Sequence, residues 1–116
     1  MDEALSLWIE GRTIPKSRDF AAFRVEVTNQ LIKDFHWDAS KVNASKLELL
    51  QLLEGEIEWA MDRDPNGLFA GFYRLDLGEE VIREILESHD RPRAVQMLAK
   101  RSLERAAFKV WTRWTF

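Results

Sequence analysis

The two histidines, His36 and His89, are the side chains best suited to proton transfer or metal binding near neutral pH. Neither has a second histidine three or four residues away, the spacing that places two ligands on one helix face. Asp34 and Asp38 flank His36, and we expect a solvated loop there rather than a metal site. His89 follows a predicted helix, where it would act as a cap. Because cysteine is absent, thiolate metal sites, disulfides and cysteine nucleophiles are excluded.

Two pairs of carboxylates, Glu54 with Glu58 and Glu80 with Glu84, have the i, i+4 spacing that brings side chains together on a helix. In a buried site one member of such a pair would have a raised pKa and could serve in acid–base catalysis. On a helix surface such residues are normally solvated. The sequence contains no glycine-rich phosphate loop and no nucleophile elbow. We therefore predict a protein that is not an enzyme and binds no cofactor.

The bulk composition indicates one globular domain over residues 1–116, with 46% hydrophobic and 32% charged residues. The longest stretch without a charged side chain is the nine-residue segment 65–73, far short of the roughly 20 residues that a membrane-spanning helix needs. The chain starts with the acidic residues Asp2 and Glu3, unlike a basic signal peptide. We expect a cytoplasmic protein without membrane contact.

Apolar residues recur at steps of three and four through most of the first half, which predicts amphipathic helices. A short helix is predicted over 3–10, and a second helix follows a cap at Ser17. Asp38 could cap a single turn. The series Ser45-Lys46-Leu47-Glu48 matches a capping box that would begin a third helix. Gly55, inside that helix, could permit close approach of a neighbouring helix.

Helix signals continue in the second half, with one ambiguity. Asp64-Pro65 suits either a turn or a helix start, and residues 68–75 fit a short helix or a strand. Asp76 is expected to cap a helix that ends near Ser88, and Asp90 to cap a last helix that continues to about residue 113. The predicted fold is an all-α, single-domain bundle of four to five helices with a long basic C-terminal helix.

The C-terminal segment, residues 91–116, concentrates positive charge. It has seven basic residues and one acidic residue, a net charge of +6, whereas the preceding segment carries −9. The overall charge of −3 therefore conceals a polarised molecule.

The same helix is apolar on two faces. Ala99, Ser102 and Ala106 lie beside Val95 on the main stripe, and they are small enough to let another helix approach closely. A second apolar group lies on the opposite side. Such a helix is either central in a bundle or has one face at an intermolecular interface. The candidate partner-binding residues are Met97, Arg101, Arg105, Phe108, Lys109 and Trp111.

Three interpretations of the basic helix remain open. Its cations could pair with acidic residues of the third predicted helix, namely Glu54, Glu56, Glu58 and Asp62. Trp111 and Trp114, interleaved with Lys109 and Arg113, could form a nucleic-acid strip, although the pI of 5.4 argues against it. A protein partner, including a second copy of the chain, is the third interpretation. We predict a non-enzymatic protein that acts through protein contacts, as a homo-oligomer or an accessory subunit, with nucleic-acid association as the alternative.

The segment from Asp64 onward resembles a group of small bacterial helical proteins. The shared residues are Tyr73-Arg74-Leu75-Asp76, an acidic helix after them, and a terminal helix that ends with Lys109 and Arg113. The resemblance implies no activity. It suggests that Tyr73, Arg74 and Asp76 form a hydrogen-bonded junction with the terminal helix.

Overall fold

The structure, a computed structural model, describes residues 2–15 and 18–116 of the chain. Within these residues the regular structure is entirely helical, as the apolar spacing predicted. The helices are α1 (Glu3–Ile9), α2 (Phe20–Phe35), α3 (Ala39–Ala44), α4 (Leu49–Arg63), α5 (Pro65–Leu75), α6 (Glu79–Ser88) and α7 (Arg91–Thr115).

The predicted number of four to five helices is not confirmed, because the described residues form seven. Two of the seven, α1 and α3, are short, with seven and six residues. A cap makes α3 a defined helix: the Asp38 carboxylate accepts hydrogen bonds from the backbone N–H groups of Ser40 and Lys41, at 2.9 and 3.4 Å. Side-chain capping of this kind satisfies N–H groups that a short helix would otherwise leave free.

The start of α4 differs from the prediction. Ser45 Oγ accepts from the backbone N–H of Leu47 at 3.1 Å, so the predicted Ser45–Glu48 capping box is wrong. The helix begins at Leu49, and Glu48 is its N-cap. Two contacts hold this start: Gln51 Oε1 accepts from the backbone N–H of Glu48 at 3.4 Å, and the buried Asp2 carboxylate accepts from the Leu49 N–H. In return Glu48 Oε1 accepts from the Glu3 N–H at 2.7 Å, so α1 and α4 cap each other.

The start of α2 is fixed by Asp19, whose carboxylate accepts from the backbone N–H of Ala22 at 2.9 Å. The predicted cap, Ser17, lies outside the described residues. At the other end of the chain, the predicted cap of α7 is confirmed, since Asp90 accepts from the Arg93 N–H at 3.0 Å.

Residues 68–75 form a helix rather than a strand. Asp64 caps α5 through the Gly67 N–H at 3.0 Å, and Pro65 occupies the first turn. The prediction that Asp76 caps the next helix is wrong. Asp76 adopts the left-handed conformation, with φ 63°, and ends α5, while Gly78 precedes α6.

The core forms around α7, which packs against α1, α2, α4, α5 and α6. Its predicted stripe of small residues, Ala99, Ser102 and Ala106, is fully buried. Leu103 is also buried, with 3% of its surface exposed. No helix of the described chain is both long and apolar enough to cross a membrane.

The glycine that permits a close contact is Gly71, not Gly55. A Cβ atom at Gly71 would lie 2.5 Å from the Phe35 ring, whereas a Cβ at Gly55 would meet nothing within 4 Å. Phe35 therefore packs directly on the backbone of α5.

Candidate functional site

A cluster of buried polar groups lies between α2 and the C-terminal half of α7. Asp34, only 4% exposed, accepts from Gln30 Nε2 at 2.8 Å and from Lys109 Nζ at 3.3 Å. Arg113 donates to Gln30 Oε1 at 2.7 Å. Buried charges are tolerated when they are paired and hydrogen-bonded, and these contacts satisfy that condition.

The same lysine connects α7 to α5. Lys109 Nζ donates to the Arg74 carbonyl oxygen at 2.8 Å, and Arg74 Nε donates to the Asp34 carbonyl oxygen at 2.6 Å. Lys109 therefore lies where α2, α5 and α7 meet.

Arg105 binds the C-terminal end of α5. Its guanidinium donates to the Leu75 carbonyl oxygen at 3.3 Å and to Asp76 Oδ2 at 3.0 Å. A cation at a helix C-terminus satisfies free carbonyl groups and complements the helix dipole. Arg74 and Asp76, two of the three predicted junction residues, thus contact α7.

Tyr73, the third predicted junction residue, bonds elsewhere. Its hydroxyl donates to the Glu79 carboxylate at the start of α6, and its side chain is 60% exposed. The hydrogen bond to Glu79 raises the pKa of Tyr73, because it stabilises the protonated hydroxyl next to a negative charge.

Arg91 pairs with acidic residues of α4. Its guanidinium donates to Glu58 Oε1 at 3.1 Å and to Asp62 Oδ1 at 2.8 Å. The hydrogen bond from Arg91 lowers the pKa of Asp62. Of the seven basic residues of α7, four thus have acceptors within the chain, and Glu58 and Asp62 are among the acidic residues that the sequence suggested.

The other three basic residues of α7 face outward. Arg93, Lys100 and Arg101 are exposed, and within the described residues they form no side-chain hydrogen bond or ion pair. Sequence spacing places them on the side of α7 opposite Val95.

The second apolar face of α7 is only partly covered. Met97 and Trp111 are half-buried against the core, and Trp111 Nε1 donates to the Thr13 carbonyl oxygen at 2.9 Å. Phe108, in contrast, is 43% exposed. It lines a cleft of about 310 Å³ between α6 and α7, together with Leu77, Val81, Arg101, Arg105 and one acidic residue, Glu104.

The six predicted partner-binding residues therefore separate into three groups. Arg105 and Lys109 are engaged in contacts with α5 and α2. Met97 and Trp111 pack partly on the core. Arg101 and Phe108, seven residues apart and hence on one side of the helix, remain at the open surface.

Asp34 and Gln30 bind α7, although the sequence did not suggest them as its partners. A signal was present, because both residues share the helix face of Val27 and Leu31, which is the core face of α2. A carboxylate on a core face needs a hydrogen-bond donor or an opposite charge, and α7 contains seven basic side chains that could supply one.

The two histidines lie at the ends of two different helices. His36 is exposed at the end of α2, and His89 Nδ1 lies 3.1 Å from the Ile85 carbonyl oxygen at the end of α6. Within the described residues, no group of three or more histidine and carboxylate side chains is arranged to hold a metal ion.

Comparison with protein-family models, with curated proteins and with solved structures gave no match. The likeness of residues 64–116 to small bacterial helical proteins therefore stays a prediction from the motifs alone.

Proposed function

We propose that this protein acts by binding another protein through the outer face of α7, and not by catalysis. We define the outer face as Arg93, Lys100, Arg101 and Phe108. One observation carries the proposal: a large aromatic side chain lies exposed in the same cleft as Arg101, a cation that has no acceptor among the described residues.

The chemistry of this face suits a protein partner. Aromatic and arginine side chains are enriched among residues that dominate binding energy at interfaces. The cleft between α6 and α7 provides Leu77 and Val81 as apolar neighbours of Phe108. A partner could thus cover the aromatic ring while its acidic groups meet Arg101 and Lys100.

Nucleic-acid association is the weaker candidate. Arg105, Lys109 and Arg113, which lie nearest the terminal tryptophans in sequence, are already held by acceptors of the chain. The two tryptophans are also engaged, since Trp111 donates to Thr13 and Trp114 Nε1 donates to Glu26 Oε2 at 2.8 Å. A stacking platform needs free aromatic faces next to free cations.

A photo-crosslinking amino acid at position 108 tests the proposal in the cell that produces the protein. We expect one dominant protein adduct, which is lost when Arg101→Glu is added. The control places the same amino acid at Val25, which is 54% exposed on α2. Adducts of equal yield and variety at both positions, or no adduct at position 108, would overturn the proposal.

A further inference from the structure

A second open groove lies between α5 and α6. Its volume is about 470 Å³, and its floor contains Phe69, Ile82 and Leu86. Phe69 is 36% exposed at this surface and packs edge-on against the buried Phe72, with ring centres 5.9 Å apart. One apolar wall of the groove is therefore held in place by the core, because Phe69 packs against the buried Phe72.

The rim of the groove is acidic. Glu79, Glu80 and Glu87 line it, against a single basic residue, Arg83. Arg83 lies 3.9 Å from Glu80, and both side chains are largely exposed. The rim thus has the opposite sign to the outer face of α7.

From this complementarity we infer that the partner at the outer face of α7 is a second copy of the chain, whose acidic α5–α6 groove receives Phe108 and its neighbouring cations. The inference rests on the proposed function and names its partner. Apolar contact of Phe108 with the groove floor would supply binding energy, and the opposite charges would set the orientation.

The position of α6 makes the arrangement compatible with a closed dimer. One side of α6 borders the groove with α5, and its other side borders the cleft that contains Phe108. The basic and acidic surfaces therefore both border α6, and together they form a patch with charges of both signs. A two-fold axis pairs such a patch with itself, so that each copy both gives its α7 face and receives its partner's.

Sedimentation velocity of the full chain, from low micromolar to several hundred micromolar, tests the inference with two charge reversals. Arg101→Glu alters the α7 face. Glu87→Lys alters the groove and should not weaken α6, because a cation suits the C-terminal end of a helix. We expect a reversible dimer for the unaltered chain, and a dissociation constant raised at least about tenfold in each variant.

Matched controls separate local from bulk charge effects. Lys46→Glu and Glu56→Lys make the same charge changes at exposed positions outside both surfaces, and each should dimerise like the unaltered chain. Circular dichroism spectra establish that each variant folds.

Sedimentation of a mixture of the two variants is the decisive measurement. An equimolar mixture of Arg101→Glu and Glu87→Lys should recover the dimer, because each contact then joins opposite charges. A monomer at all concentrations, or a mixture that stays monomeric while each variant is folded, overturns the inference.

The crosslinking test is independent of this outcome: an adduct to a different protein through position 108 would keep the proposed function and reject the second copy as partner.

Discussion

At the scale of single residues, the structure explains why similar side chains on α7 have different environments. Lys109 and Lys100 both lie within α7, yet Lys109 meets Asp34 and the Arg74 carbonyl group, and Lys100 is exposed. The net charge of +6 for residues 91–116 is therefore divided between internal contacts and an open surface.

This division predicts unequal effects of two equivalent substitutions. Lys109→Met should lower the free energy of unfolding by roughly 1–3 kcal/mol, because it leaves the Asp34 carboxylate buried with fewer donors. Lys100→Met should change it by less than about 0.5 kcal/mol, as is usual at exposed positions. Urea unfolding measures both values. Equal effects would mean that the Asp34 contact does not contribute to stability.

Tyr73 gives a local test of electrostatics, because it is the only tyrosine of the chain. Near-ultraviolet absorbance of the phenolate therefore reports its titration alone. Glu79→Gln should lower the pKa of Tyr73 toward its ordinary value, since the charged acceptor that stabilises the protonated hydroxyl is removed. Glu80→Gln, one position away, should leave the pKa unchanged.

The sign of the linked stability follows from the raised pKa. The Tyr73–Glu79 contact stabilises the fold below the ordinary pKa of tyrosine, and this contribution is lost as the pH rises through the raised value. A Tyr73 pKa that does not respond to Glu79→Gln would contradict the contact.

Two neighbouring residues of α7, Ser102 and Leu103, should respond in opposite ways to truncation. Ser102 Oγ is fully buried and has no hydrogen-bond partner among the described residues. Ser102→Ala should therefore be neutral or stabilise the fold by up to about 1 kcal/mol. Leu103→Ala should cost about 2–5 kcal/mol, because Leu103 is buried in the core. Thermal and urea unfolding check both, and a loss of stability in Ser102→Ala would indicate a partner for its hydroxyl.

At the scale of elements, helix identity could be predicted from the sequence, whereas helix starts were predicted only where the capping residue is local. The apolar period and the caps Asp64 and Asp90 are local signals, and both caps are observed. The start of α4 depends on Asp2, 47 residues earlier in the chain. The sequence does not reveal this contact, but it does contain a local signal for a start at Glu48, because the Gln51 side chain accepts from the Glu48 N–H at 3.4 Å.

The close helix contact was predicted at Gly55, but it lies at Gly71. Gly55 and Gly71 both lie inside helices, and the sequence does not reveal which faces a bulky neighbour. The Phe35 ring lies against Gly71, and open space lies above Gly55. Likewise aspartate is a common N-cap residue, but Asp76 ends α5 and accepts a hydrogen bond from Arg105.

The two glycines provide a matched pair of substitutions. Gly71→Ala should destabilise the protein by roughly 1–3 kcal/mol, because the added methyl group would displace Phe35. Gly55→Ala should stabilise it by up to about 1 kcal/mol, since alanine has the higher helix propensity and meets no obstacle. Thermal unfolding of the two variants measures the difference, and a stabilising Gly71→Ala would show that the Phe35 ring does not pack on the backbone of α5 at Gly71.

At the scale of the whole molecule, the two open apolar surfaces differ in the sign of most of the charges that line them. The acidic rim of the α5–α6 groove and the basic outer face of α7 lie on either side of α6. The sequence predicted the basic helix and included Phe108 among its candidate partner-binding residues. It could not indicate the acidic groove, because that surface exists only once α5 and α6 pack beside each other.

The measurement that bears most directly on the proposed function is the identity of the adduct formed through position 108 in the cell. Contact of α7 with a protein partner predicts one dominant protein adduct, dependent on Arg101, and a second copy of the chain as the crosslinked species if the dimer forms. The absence of an adduct at position 108, or adducts indistinguishable from those at Val25, would contradict a role for this face in binding.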